Sequence, residues 1–259
     1  MSRRSRVASE VRAAYKSFVR RRVAVFFTFF FPVLLIVIFA GLVRTGGGGT
    51  GLFSQPAGYY VPAYLAVVVL FTPLSRIGSE VARFREGNRF EKLSTSPMRR
   101  WEWLLAQTLV NVALIALACV VLLALLVLTG ADIHVSPWLA LFVPVGSVLF
   151  CGVGAMLGSL ADSQDGAITA SNGVALPLLF LSNTFLTPAS LPGWFQPITN
   201  LSPLSYFAYG VRAATYRTPD ALSTSYAGWP GSVAANFGIL CMLAVVAFVV
   251  GAHLIPWTE

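Results

Sequence analysis

The residues in this chain whose types and spacing could do chemistry lie in two stretches. In the first, between Arg76 and Glu102, Glu80 stands three residues before Arg83 and Glu86 three before Arg89. That spacing sets acid beside base on one side of a helix, as exposed ion pairs worth roughly a few tenths of a kcal/mol each. Ile77, Val81 and Phe84 form an apolar stripe, and Phe90, Leu93 and Trp101 add large apolar surface. Pro97 ends the helix by pushing Ser96 towards an extended conformation. This is binding chemistry: a helix of mixed charge with exposed rings is a docking lever for a cytosolic partner. Catalytic groups are sparse by comparison. Asp132 with His134, Asp162 with Asp165, and Asp220 fall in separate loops, too divided to work as one centre. The string Gly46–Gly49 carries no Gly-Lys-Ser/Thr ending, so there is no phosphate-cradling loop and no means of hydrolysing ATP. Cys119, Cys151 and Cys241 are scattered through apolar runs, which fits neither a disulfide framework nor a metal site.

The elements that position these residues follow from composition. Of 259 residues, 56% are hydrophobic and 11% charged, with a mean hydropathy of +0.75. A soluble chain carries about a quarter charged residues. Apolar runs near the ~20 residues that cross hydrocarbon make this a polytopic all-α membrane protein. Six spans are predicted in a single transmembrane domain, at 23–43, 57–75, 103–129, 138–160, 167–186 and 233–255, with Pro32, Pro62, Pro73 and Pro177 inside them. Residues 1–22 carry eight positive charges against Glu10. Val7, Val11, Ala14 or Tyr15, and Phe18 share one helical face, and Arg12, Lys16 and Arg20 take the other. That pattern suits a helix lying among anionic headgroups. With the N-terminus inside, the tail and the 76–102 loop hold fifteen of the eighteen Lys and Arg, leaving Arg44, Arg212 and Arg217 outside. This positive-inside pattern puts both termini in the cytoplasm and makes the net charge of +8 a topology signal rather than a nucleic-acid footprint.

The second stretch, 187–216, follows the fifth span and contains Pro188, Pro192, Pro197 and Pro203, so no single straight helix passes through it. Two half-helices are predicted at the outer surface. The first begins at Pro192 or Gly193, and the second at Pro203 with Ser202 as N-cap. Leu204, Phe207, Ala208 and Val211 recur on one face of the second.

These two stretches carry a resemblance. Arg85-Glu86-Gly87-Asn88-Arg89-Phe90-Glu91-Lys92-Leu93-Ser94-Thr95-Ser96-Pro97 resembles the Arg-Glu-x-Gly-Thr-Leu-Glu-x-Leu-x-x-Thr-Pro loop of ABC-2 type transporter permeases, with Asn88 at the family glycine and Arg89 at the threonine. Pro188, Leu191, Pro192, Trp194, Gln196, Pro203, Leu204, Tyr206 and Arg212 match the family's signature after the fifth span, with Ser202 in place of the usual asparagine. Drug-resistance permeases of actinomycetes are the nearest subgroup.

The resemblance implies a type V exporter fold with re-entrant outer helices, in the bacterial plasma membrane. It implies a dimer of permeases, alike or related, bound to two cytosolic ATPase subunits that hold the ATP and Mg; this chain needs no cofactor. Glu80, Phe84, Arg85, Glu86, Arg89, Glu91 and Pro97 would couple to the ATPase. The substrate path would run between protomers, with Pro32, Asn172, Pro177, Ser182 and Asn183 as the polar or kinked candidates. No ionisable residue falls near the middle of a predicted span, which disfavours an ion-coupled carrier. The expected cargo is a lipophilic or amphipathic drug, lipid or glycolipid. An ion-coupled efflux carrier and a polysaccharide or glycoconjugate exporter are the alternatives.

Overall fold

Residues 3–22, 57–128, 134–185, 192–215 and 232–257 are described in the structure, a computed structural model, together with scattered positions between 25 and 38. Among them are eight α-helices: α1 (Arg3–Arg20), α2 (Val61–Glu86), α3 (Arg89–Ser94), α4 (Arg100–Leu128), α5 (Leu139–Leu160), α6 (Gln164–Leu181), α7 (Pro203–Thr215) and α8 (Val233–Leu254). Short 3-10 helices span Ala57–Tyr60 and Gln196–Leu201. Gly58–Glu86, α4, α5 and α8 are each long and apolar enough to cross a membrane. The expected first span, with Pro32, lies outside the described residues, as does Pro188.

α2 is the axis of the bundle. Every residue from Val61 to Leu70 is buried, with α5, α6, α4 and α7 packed around it. A helix apolar on all sides is stable only when enclosed in this way. Glycines set its distance from α5: a Cβ on Gly158 would run into the Gly78 carbonyl. On the other side of α5, a Cβ on Gly152 would strike the Ala247 backbone of α8. Small residues let helix backbones meet where no hydrophobic force separates lipid from protein.

Two boundaries differ from expectation. The second span and the helix expected after Arg76 are one element: α2 runs on to Glu86, with Pro73 inside it, and stops well short of Pro97. At Arg76, Nη1 donates to Asn111 Oδ1 at 3.2 Å and the guanidinium sits 4.6 Å from the Phe18 ring centroid, so the helix passes this point in contact with protein. The helix in the place of the expected fifth span, α6, ends at Leu181 rather than Leu186, because Ser182 turns extended and its hydroxyl donates to the Leu179 carbonyl.

α1 packs on α4, with Ala14 and Phe18 against Val110 and Leu114. Tyr15, one of the two candidates for the inner face, turns outward instead, beside Arg12, Lys16 and Arg20.

Candidate functional site

The charged stretch folds into an elbow. α2 stops where Gly87 N–H bonds Arg83 O at 3.2 Å and Asn88 N–H bonds Arg85 O at 3.0 Å. Asn88 then turns left-handed (φ 49°, ψ 33°) and α3 departs at an angle. It is the only non-glycine with positive φ among the described residues. Asparagine tolerates this region better than most side chains. α3 is six residues long and buries one of them, Phe90. The Phe90 ring centroid lies 5.4 Å from Phe84, 5.1 Å from Trp103 and 5.7 Å from Trp257, within the range of favourable ring–ring packing. Phe84 and Phe90 are therefore not exposed docking rings; they seal the elbow to the bundle. Glu86, Arg89, Glu91 and Pro97 remain at the surface.

The ion pairs are also inside rather than outside. Glu80 is 9% exposed and binds Arg83 and, at 3.5 Å, Arg21 at the end of α1. Glu86 does not pair with Arg89. Its Oε1 accepts from the Gln164 N–H at 2.7 Å, and the Arg89 guanidinium lies 5.4 Å from the Phe84 ring centroid. Arg85 Nη1 donates to Ser159 O at 2.7 Å. The foot of α2 thus grips both sides of the α5–α6 connection.

Beside it, fully buried Glu102 accepts from Arg6 Nη2 at 2.9 Å and from the Arg99 N–H at 3.0 Å. The second bond is the carboxylate half of a capping box for α4. Gln107 Nε2 donates to Glu10 Oε1 at 3.3 Å; burial pushes the Glu10 carboxyl up, and this bond opposes it. Carboxylates removed from water persist where partners replace hydration.

Between α1, α2 and α6 lies a cavity of about 430 Å³. Arg21, Arg76, Glu80 and Asn172 give it polar walls, and Phe18 and Phe71 give it apolar ones. Of the proposed path residues, Asn172 lines this space and Pro177 is exposed further along α6. Ser182 and Asn183 do not join them. Both are buried at the opposite end of the bundle, where the Asn183 and Thr184 carbonyls accept from Arg212 Nη2 at 3.0 and 3.3 Å.

That end holds the proline-rich motif. The first half-helix does not begin at Pro192 or Gly193: a turn covers 193–195, and Gln196–Leu201 forms a 3-10 helix. Pro203 opens α7 as its spacing predicts. Ser202 Oγ, however, donates to Leu178 O at 2.9 Å, tying α7 to α6. Tyr206 Oη donates to Asn200 O at 3.0 Å, while Pro192 and Trp194 are exposed. Arg212, read from sequence as an outer-loop charge, is 2% exposed, with its guanidinium 4.2 Å from the Tyr59 ring centroid. Leu204, Phe207, Ala208 and Val211 all face the core.

Sequence reasoning overlooked Glu102, Trp103 and Trp257. Glu102 carried a signal, an acid at the third position of a helix that starts soon after Pro97. The partners of the two tryptophans lie too far along the chain for local periodicity to show.

Comparison with known proteins completes the picture. The ABC-2 type transporter family matches residues 7–216. The daunorubicin resistance ABC transporter permease protein DrrB1 of Streptomyces coeruleorubidus is 29% identical over 194 residues, covering 72% of this chain and 66% of that protein. The probable multidrug ABC transporter permease YbhR of Escherichia coli (strain K12) is 22% identical over 152 residues, 58% of this chain and 41% of that one. Nodulation protein J of Rhizobium leguminosarum bv. viciae is 28% identical over 133 residues, 49% and 48% of the two chains. The chain thus spans less than two thirds of the length of each of these relatives. With the family match running from within α1, through the elbow, to just past α7, this chain belongs to the ABC-2 type transporter family.

Proposed function

We propose that the chain is the membrane-spanning permease subunit of an ATP-driven exporter, moving a lipophilic or amphipathic molecule outward while a separate subunit hydrolyses ATP. The observation that carries this reading is the unbroken course of α2. Its 26 residues span about 39 Å, against a hydrocarbon core of about 30 Å, so it projects beyond the membrane and delivers the elbow there. The surface of the elbow, with Glu86, Arg89, Glu91 and Pro97, is the part that a cytosolic ATPase would grip. Glu80, Phe84 and Arg85 would carry the push into the bundle from below that surface. α1 braces the same end through Arg6 and Arg21.

In this reading the stretch outside the described residues and α6 bring the spans to six, and both termini face the cytoplasm of a bacterial cell. Residues 187–216 form the outer re-entrant cap. Two permeases, alike or related, meet two ATPases, and the cavity beside Asn172, lined by both rings and polar groups, suits an amphipathic cargo. Two of the relatives carry drugs in their names, daunorubicin resistance in one and multidrug transport in the other, which supports a drug-like cargo.

The test is to tag this chain, recover it from membranes, and identify what comes with it. A co-purifying subunit carrying a Walker A motif, and ATP-dependent uptake of a fluorescent amphiphile into inverted vesicles, is the expected result. Uptake that collapses with an uncoupler and ignores ATP would overturn the reading in favour of an ion-coupled carrier.

A further inference from the structure

α3 is the shortest α-helix among the described residues, and it buries one side chain, Phe90, with Leu93 packed partly buried against the same cluster. Three rings surround Phe90. Phe84 comes from the end of α2 and Trp103 from the start of α4, both neighbours along the chain. The third, Trp257, comes from beyond the end of α8. It gets there because α8 ends at Leu254 and the next residues fold back over the elbow, with Ile255 fully buried and Trp257 9% exposed. A bond from Arg100 Nη1 to the His253 carbonyl, at 3.0 Å, holds this return in place. Pro256 fits the fold-back by refusing to prolong the helix.

At the corner itself, Asn88 is left-handed and makes no side-chain cap to α3. The side-chain anchorage of α3 therefore comes from what Phe90 and Leu93 rest against.

We propose that Trp257 is a positioning residue for coupling: a wall contributed by the C-terminal segment that fixes the orientation of the elbow. The proposal rests on the elbow being the coupling element. It makes the end of the chain, remote in sequence from the 76–102 stretch, part of that machinery. Aromatic contacts of this kind contribute enough beyond their buried area that losing the Trp257 wall is expected to speed local opening of α3 by roughly tenfold.

The experiment is hydrogen exchange on the full chain in phospholipid nanodiscs, comparing the parent with Trp257→Ala, Trp257→Leu and Trp257→Phe. The expected result is faster exchange confined to residues 87–95 in the alanine variant, a smaller rise with leucine, and near-parental protection with phenylalanine, while 105–125 and 145–155 stay unchanged. The leucine variant keeps the core apolar and decides the matter if alanine loosens the whole bundle. Unchanged exchange at the elbow in both, or a bundle-wide rise in both, would overturn the proposal. A second arm separates it from the reading on which it rests: molecules transported per ATP, measured with the co-purified ATPase. A loosened elbow with lower coupling efficiency, rescued by phenylalanine, supports both. A loosened elbow with unchanged efficiency overturns the role of Trp257 in coupling while the reading of the chain as a permease stands, and failure of any Walker A subunit to co-purify with the parent overturns that reading instead.

Discussion

Asn88 and Arg212 each decide a local conformation, and each invites a direct test. Asn88→Gly keeps the left-handed corner and is expected to leave stability within about 0.5 kcal/mol. Asn88→Val puts a branched side chain where L-residues lose about 1–2 kcal/mol, and the midpoint of thermal unfolding in detergent should fall accordingly. Arg212→Met removes the donor to two buried carbonyls, at a cost of about 1–3 kcal/mol for each group left unpaired; Arg212→Lys should recover part of it. The same detergent melts measure both. The two residues also mark how legible single positions were. Asn88 stood where the loop it resembles carries glycine, a residue suited to the left-handed corner found there, but no turn was assigned to it from sequence. Arg212 looked like a solvated charge, because nothing within a few residues of it hints at Tyr59, Asn183 or Thr184. Its environment is assembled from three distant segments.

Helices were legible where their pattern is intrinsic and misread where packing overrides it. The apolar runs placed α5 and α8 to within a residue at each end and α4 three residues late at its start, and Pro203 located the start of α7. The helix expected beyond Arg76 is there, but it breaks at Asn88 rather than running to Pro97, and Arg76 within it meets Asn111 and Phe18 from two other helices. The exposed ion pairs expected for the elbow failed for a related reason. Glu80, Arg83, Phe84 and Phe90 were read as belonging to a free-standing helix, and burial turned each of them inward. Glycine spacing on α5 carried information that was not used. Gly158→Ala should already separate α2 from α5, and Gly158→Leu should cost more than the roughly 1–3 kcal/mol of ordinary overpacking, since the obstacle is backbone. The fraction eluting as a single species from size exclusion is the measure, expected to fall from glycine to alanine to leucine.

At the scale of the molecule, composition spoke most clearly, since a bilayer leaves few ways to arrange long apolar segments. Ion pairs and arginines crowd one end of the bundle, and the proline-rich motif closes the other. If the charged end faces the cytoplasm, a cysteine at Lys92 reacts with an impermeant maleimide only after the cells are opened, and one at Trp194 reacts in intact cells. Both are made in a chain whose three native cysteines have been replaced by alanine. The reverse pattern would invert the assignment. The cavity beside Asn172 was only half visible beforehand: the asparagine was picked out as polar within an apolar run, but its neighbours come from α1 and α2.

Tyr59, which lies under the guanidinium of Arg212, sits one residue before the N-cap of α2, and the helix ends at Glu86 among the contacts of the elbow. The two extremities of the molecule are therefore the two tips of one stiff rod. Along it, the ladder of backbone bonds lacks a rung only at Pro73, beyond the opening turn where Pro62 is harmless. A tilt imposed at one tip must either arrive at the other or be absorbed at that proline. Replacing Pro73 with alanine would stiffen the rod, and leaving it in place preserves a single point of give between the two faces of the membrane.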